Sequence, residues 1–185
     1  MNAPNIISLL RLLSVPLTVW LIVSDRFTAA FALFVLAGLS DAVDGLLAKR
    51  FDMATELGGF LDPLADKALL VSVYVTLGLQ GWLPNWLVIL VVSRDMLIVG
   101  GVLLSFAMDA PGAALGPIRP LAISKINTFA QIVLAGAALA KPAVSAIPDA
   151  VMLLLILAVG ATTLASGATY VVTWARQQGG ADGQP

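Results

Sequence analysis

DAVDGLLAKRFDMATELGGFLDPLAD, residues 41–66, is the stretch on which the reading of this chain turns. It sets Asp41, Asp44, Asp62 and Asp66 inside or at the edge of apolar segments, with Asp52 and Glu56 in a short polar link between them. Asp41 and Asp44 are three positions apart, so on a helix they share a face about one turn apart. Asp62 and Asp66, four apart, do the same on the next helix. The link is short enough for both pairs to meet at one membrane boundary. At a helix centre each carboxylate costs about 2.5–3.5 kcal/mol on an insertion scale. Acids concentrated in this way face a cavity, bind a cation, or both. The bland alternative makes them helix caps and structural ion pairs with Lys49, Arg50 and Lys67. It suits Asp52 and Glu56 better than the quartet.

Working outward, the rest of the chain is apolar. Of its 185 residues 59% are hydrophobic, and the mean hydropathy is +0.98. Soluble domains sit nearer about 45–50%. One integral membrane domain over residues 1–175 is expected, with a polar, disordered tail over 176–185. Apolar runs of spanning length fall near 6–24, 27–48, 57–80, 84–107, 121–140 and 150–174. Each approaches the ~20 residues that cross a bilayer as a helix. The expected fold class is therefore an all-α integral membrane protein of six transmembrane helices, with a polar cavity open to the cytoplasmic side. No segment alternates with period two, and open sheet edges cannot face lipid. Ala30-Phe31-Ala32 mimics a signal cleavage site, but no basic cluster precedes the first run.

Basic residues set the orientation. With six alternating helices, Arg11, Lys49, Arg50, Arg119, Lys125 and Arg176 share one side, and Arg26 and Lys141 the other. That puts the quartet at the cytoplasmic ends of helices 2 and 3, in a multi-pass protein of the bacterial inner membrane. Asn5, Ser8, Arg11, Ser14 and Thr18 recur at helical spacing. They make a polar stripe that faces either the bundle or the headgroups. Pro16 marks a bend or a helix start.

The chain has no Cys and no His, which excludes disulfides, thiolate catalysis, Cys/His zinc sites and a Ser-His-Asp triad. With a net charge of −1 it is no binder of nucleic acid. Carboxylates and a few cations carry what chemistry there is. Gly45, Ala48 and Gly58 leave room for a bulky polar ligand between the acid pairs, or serve helix packing.

Set out in full, the pattern is Asp41-x2-Asp44-Gly45-x2-Ala48-Lys49-x8-Gly58-x3-Asp62-x3-Asp66. It resembles the signature of the CDP-alcohol phosphatidyltransferase family, D-x2-D-G-x2-A-R-x8-G-x3-D-x3-D. Every position matches except Lys49, which stands where the family has Arg. The exchange keeps the charge but loses the planar fork suited to phosphate, and Arg50 lies beside it. The resemblance implies transfer of the phosphatidyl group of CDP-diacylglycerol to an alcohol acceptor, with release of CMP. It also implies two divalent metal ions, Mg2+ or Mn2+, and a homodimer. Carried over by position, Asp41, Asp44, Asp62 and Asp66 are metal ligands, and Asp66 is also the general base. Asp41, Gly45, Ala48, Lys49 and Gly58 line the nucleotide pocket. Hard cations suit carboxylate and diphosphate oxygens, and an alcohol at neutral pH needs a base to attack.

A second cluster is basic. Arg94 lies deep in the fourth run, where it either binds substrate phosphate or pairs with Asp95. Arg119 and Lys125 lie near the start of the fifth run, where they either bind acceptor phosphate or snorkel to the headgroups. Arg94-Asp95-Met96-Leu97 and Ser124-Lys125-x-Asn127-Thr128 resemble the branch that makes cardiolipin from phosphatidylglycerol. Phosphatidylglycerophosphate synthases, which use glycerol 3-phosphate, share the quartet. So small a dianion favours a richer basic pocket, so phosphatidylglycerol is the preferred acceptor. A membrane prenyltransferase and a cation transporter are the rival classes. The first needs acidic motifs on two well separated segments; the second needs acids near the midplane and internal symmetry.

Overall fold

The computed structural model describes the backbone of residues 3–51, 56–107, 122–142 and 147–179, and the side chains of 9–40, 65–100, 123–142 and 147–169. The described residues form six helices and no strand: α1 (Ala3–Val23), α2 (Phe27–Phe51), α3 (Glu56–Leu79), α4 (Asn85–Ala107), α5 (Ala122–Ala140) and α6 (Asp149–Gly179). Each expected apolar run becomes one helix. Two differences stand out. Helix α1 is continuous through Pro16, so no helix starts there; the proline removes one ladder hydrogen bond and its ring crowds the carbonyl one turn before. Helix α6 continues through Gly179, so residues 176–179 of the expected tail are helical.

The helices pack as a closed ring, in the order α1, α2, α5, α6, α4, α3 and back to α1. An additional α3–α5 contact crosses the interior and divides it in two. One compartment is bounded by α1, α2, α5 and α3, the other by α3, α4, α6 and α5. Among the described residues, α2 and α3 do not pack on each other. They face across the first compartment instead of forming the adjacent pair that the short link suggests. The buried core runs through both halves and includes Ile22, Val73, Tyr74, Leu77, Leu87, Leu134, Leu139 and Val159. The exterior is apolar as well: Leu13, Leu36, Leu79, Leu97, Phe129 and Leu154 are all exposed. Water would disfavour such a surface and hydrocarbon would not. By length and composition, Ile123–Ala140 and Asp149–Thr169 are long and apolar enough to cross a membrane.

Two matched turns close the end opposite the quartet. At the end of α1, the Arg26 amide reaches the Leu21 carbonyl (2.8 Å) and the Asp25 amide reaches Ile22 (3.0 Å). At the end of α3, Trp82 bonds Leu77 (2.9 Å) and Gly81 bonds Gly78 (3.0 Å). Both are Schellman caps. Gly81 (φ 79°) suits the left-handed position, while Asp25 (φ 57°) is one of the few other residue types that tolerate it. The turns are tied together by Gln80 Nε2 donating to the Ile22 carbonyl (3.0 Å) and by an edge-on Phe27–Trp82 contact (5.2 Å). These contacts pin the two turns to each other.

Candidate active site

Asp66 is the residue of the quartet whose side chain is described. It follows buried Ala65 on α3 and lines the cavity of the first compartment. Arg11 of α1 pairs with its carboxylate. The pair is one-sided: the Arg11 side chain is 3% exposed and that of Asp66 is 43%. The guanidinium therefore comes from inside the bundle, and the carboxylate looks outward into space. The neighbouring side chains explain how α1 presents this cation. Ser14 Oγ donates to the Arg11 carbonyl (2.6 Å), and Thr18 Oγ1 to that of Ser14 (2.8 Å). The expected polar stripe thus turns its Arg11 and Thr18 toward the bundle, where both are buried.

The space is a cavity of about 520 Å³ between α2, α3 and α5. Arg11, Asp66, Lys67 and Thr128 supply its polar lining. Phe31, Phe34, Val35, Leu39, Leu70, Ile132 and Val133 make most of the rest apolar. Gly38 of α2 and Gly136 of α5 also line it. A Cβ at Gly38 would meet nothing within 4 Å, so the lumen is open there. A groove with one charged end and an apolar length fits an amphipathic ligand.

Lys67 belongs to both compartments. It lines the cavity, and its Nζ donates to Asp95 Oδ2 (2.7 Å) across the α3–α4 interface. Arg94 Nη1 donates to Asp95 Oδ1 (2.9 Å). Arg94 Nη2 reaches Ser124 Oγ of α5 (2.6 Å) and Ser166 Oγ of α6 (2.5 Å). Arg94 and Asp95 are buried, at 5% and 1% exposure. Below them, Thr162 and Thr163 each donate to Asn127 Oδ1 (2.8 Å), and the Tyr74 hydroxyl donates to the Gln131 carbonyl (3.0 Å). Pairing satisfies charges that hydrocarbon would otherwise penalise heavily.

The residues singled out in the sequence fall into three groups. Asp66 lines the cavity. Arg94 lies behind Lys67, not among the cavity-lining residues, and Lys125 is exposed on α5. Asp41, Asp44, Gly45, Ala48 and Lys49 lie on α2, and Gly58 and Asp62 on α3, with side chains outside the described residues. Arg119 is also outside the described residues. Sequence reasoning missed the roles of Arg11 and Lys67 at the cavity. The stripe on α1 was the available signal for Arg11; Lys67 had only its place beside Asp66.

Do these residues suit divalent ions? Four carboxylates supply only hard oxygen donors, the chemistry Mg2+ and Mn2+ prefer. The backbone puts Asp41 and Asp44 on α2 and Asp62 and Asp66 on α3, and Asp66, the described member, lines the cavity and is partly exposed. The donor chemistry fits such ions.

A bundle of six helices, apolar outside and charged at an internal cavity, defines the class: an all-α protein of membrane type. A model of the CDP-alcohol phosphatidyltransferase family matches residues 1–174, and the chain belongs to that family. The family is divalent-metal-dependent. The chain is 35% identical over 181 residues to a CMP-forming cardiolipin synthase and mitochondrial hydrolase fusion protein of Schizosaccharomyces pombe, covering 92% of this chain and 30% of that one. It is 36% identical over 155 residues to the chloroplastic CDP-diacylglycerol–glycerol-3-phosphate 3-phosphatidyltransferase 1 of Oryza sativa subsp. japonica (77% and 47%). It is 32% identical over 179 residues to the CMP-forming cardiolipin synthase of Homo sapiens (90% and 60%). The chain thus spans about half the length of these relatives or less in two cases, and 60% in the third.

Proposed function

We propose that this protein transfers the phosphatidyl group of CDP-diacylglycerol to the hydroxyl of phosphatidylglycerol, forming cardiolipin and releasing CMP. One observation carries the reading: the Asp66 carboxylate, held by Arg11, stands at the charged end of an otherwise apolar cavity. The acceptor hydroxyl oxygen attacks the phosphorus that bears diacylglycerol. Its proton passes to Asp66, and the bond from that phosphorus to the oxygen of CMP breaks. Arg11 aims the Asp66 carboxylate. Asp41, Asp44, Asp62 and Asp66 would hold two divalent ions, which when bound neutralise the diphosphate and the leaving phosphate. Gly45, Ala48, Lys49 and Gly58 border the cytidine. Arg119 and Lys125 steer acceptor phosphate toward the mouth.

The cavity takes an acyl chain along α2 and α5. In a bilayer, lipid and groove are equally apolar, so the groove contributes orientation more than transfer energy. Six spans, a cytoplasmic mouth and a homodimer complete the reading. It is supported by the basic residues that alternating helices gather at the quartet's end.

Glycerol 3-phosphate is the second acceptor to consider, favoured by the likeness to the rice enzyme. One assay separates the two. Purified protein receives CDP-diacylglycerol, Mg2+ and one acceptor at a time, and CMP is counted. Release with phosphatidylglycerol alone supports the proposal. Release with glycerol 3-phosphate alone replaces it, and release with neither removes the transferase reading. A chelator should abolish release, and added Mg2+ or Mn2+ should restore it.

A further inference from the structure

We infer that Lys67 binds a phosphate-ester anion of a lipid substrate in the cavity, and that Asp95, itself held by Arg94, sets the position of its ammonium group. The inference rests on the transferase reading for the identity of the lipid, but not for the anion site itself. Three observations carry it.

Of the three charged groups in the Lys67–Asp95–Arg94 chain, Lys67 is the one that lines the cavity. Its side chain is 21% exposed, against 6% for Arg94 and 1% for Asp95. The Asp95 carboxylate is shared between two cations, one on each oxygen. One negative charge divided in this way leaves the ammonium of Lys67 incompletely neutralised. It can still donate to a second acceptor, since an ammonium has three donors.

Position gives the second argument. Lys67 follows Asp66 directly, and one residue turns a helix by about 100°. Asp66 therefore meets Arg11 of α1 while Lys67 meets Asp95 of α4, and both remain at the cavity's charged end. An anion beside Lys67 would lie next to the carboxylate proposed to take the hydroxyl proton.

The third argument is rigidity. A free lysine samples many rotamers, and fixing it costs side-chain entropy. Here that cost is met on folding. Asp95 is held by Arg94, which two serines on α5 and α6 fix in turn. The anchor thus ties α4 and α6 to the cavity wall and adds a second tie to α5, and Asp95 and Arg94 are positioning residues that act through Lys67.

The anion could be the diphosphate of the donor or the phosphodiester of the acceptor. Lys67→Gln and Lys67→Arg separate these sources. A charge-assisted hydrogen bond predicts a loss of roughly ten- to hundredfold in affinity for the lipid that Lys67 holds. A raised KM for phosphatidylglycerol alone selects the acceptor, and one for CDP-diacylglycerol alone selects the donor. Arg at this position should restore part of the loss. Asp95→Asn should reproduce part of it, with Ser124→Ala and Ser166→Ala as milder variants if Asp95→Asn does not fold.

Equilibrium binding is the second readout. Wild-type protein should retain phosphatidylglycerol over phosphatidylcholine in detergent, and Lys67→Gln should lose that preference while melting within a few degrees of wild type. This arm stands even if no acceptor yields CMP, so its failure is distinct from failure of the transferase reading. The inference is overturned if Lys67→Gln lowers the melting temperature while leaving both KM values and lipid preference unchanged. Lys67 would then be a structural counter-ion of Asp95.

Discussion

Arg11 of α1 and Asp66 of α3 are 55 positions apart in the chain and form an ion pair that lines the cavity. The buried member is the cation and the exposed member is the acid. A base used for proton transfer needs a carboxylate that substrate can reach, and the exposed side chain of Asp66 offers one. Asp66→Asn should therefore lower CMP release by about 10²–10⁴-fold, the range general bases contribute. Donor binding should persist in part, since the other carboxylates remain. Arg11→Lys should keep more activity than Arg11→Gln, because only Lys retains a charge for Asp66. Turnover by all three variants, with CDP-diacylglycerol binding measured alongside, checks this. Unchanged turnover in Asp66→Asn would remove it as the base.

Packing of α3 against α4 positions Lys67 opposite Asp95, and Gly78 permits the close approach. A Cβ at Gly78 would lie 2.7 Å from Val88 Cγ2, a short branched side chain that cannot swing away. Gly78→Ala should destabilise the bundle by about 1–3 kcal/mol through overpacking. Val88→Ala in the same chain should recover part of that loss. A double-mutant cycle of melting temperatures in detergent measures the coupling. Additive losses would show that the two helices do not meet there.

Much of this architecture was legible in the sequence, for reasons specific to the elements. Each apolar run is bounded by charged or Gly/Pro-containing breaks, so six helices could be placed within a few residues. The α1 stripe was also legible as a periodic pattern, because Ser14 and Thr18 stand among leucines and valines. Arg94 and Asp95 invited pairing by adjacency, and they do pair. What was not legible is separation through space. Lys67 looked like a counter-ion for the acids beside it, but it bonds Asp95, 28 positions on. The α2–α3 link is short, yet in the described residues the helices it joins face each other across a cavity, with α1 and α5 completing its walls. Hydrophobic periodicity records which face is buried and not which neighbour buries it.

Cavity width should respond to Gly38 of α2. Because a Cβ there meets nothing within 4 Å, Gly38→Ala should leave the fold intact. It should gain up to about 1 kcal/mol from helix propensity. Gly38→Phe should instead fill the lumen beside Leu39 and Leu70. Its melting temperature should stay near that of wild type while the KM for CDP-diacylglycerol rises several-fold. Steady-state kinetics with long- and short-chain donors tests this. Short chains should be affected less, and equal effects on both would place the acyl chain elsewhere.

Gln131 of α5 offers a test of the second compartment. It is fully buried, and neither its Nε2 nor its Oε1 has a hydrogen-bond partner among the described residues. Its backbone carbonyl accepts from Tyr74, so the helix itself is tied while the amide is not. An unsatisfied buried amide costs about 1–3 kcal/mol, whereas an apolar side chain of similar shape does not. Gln131→Met should therefore raise stability by up to that amount, with the Tyr74 contact retained. Tyr74→Phe should lower it by about 1 kcal/mol, because it removes a hydrogen bond and leaves the carbonyl with its helical partner. Thermal melts of both variants distinguish the contributions. A lower melting temperature in Gln131→Met would mean that ordered water satisfies the amide in the folded bundle.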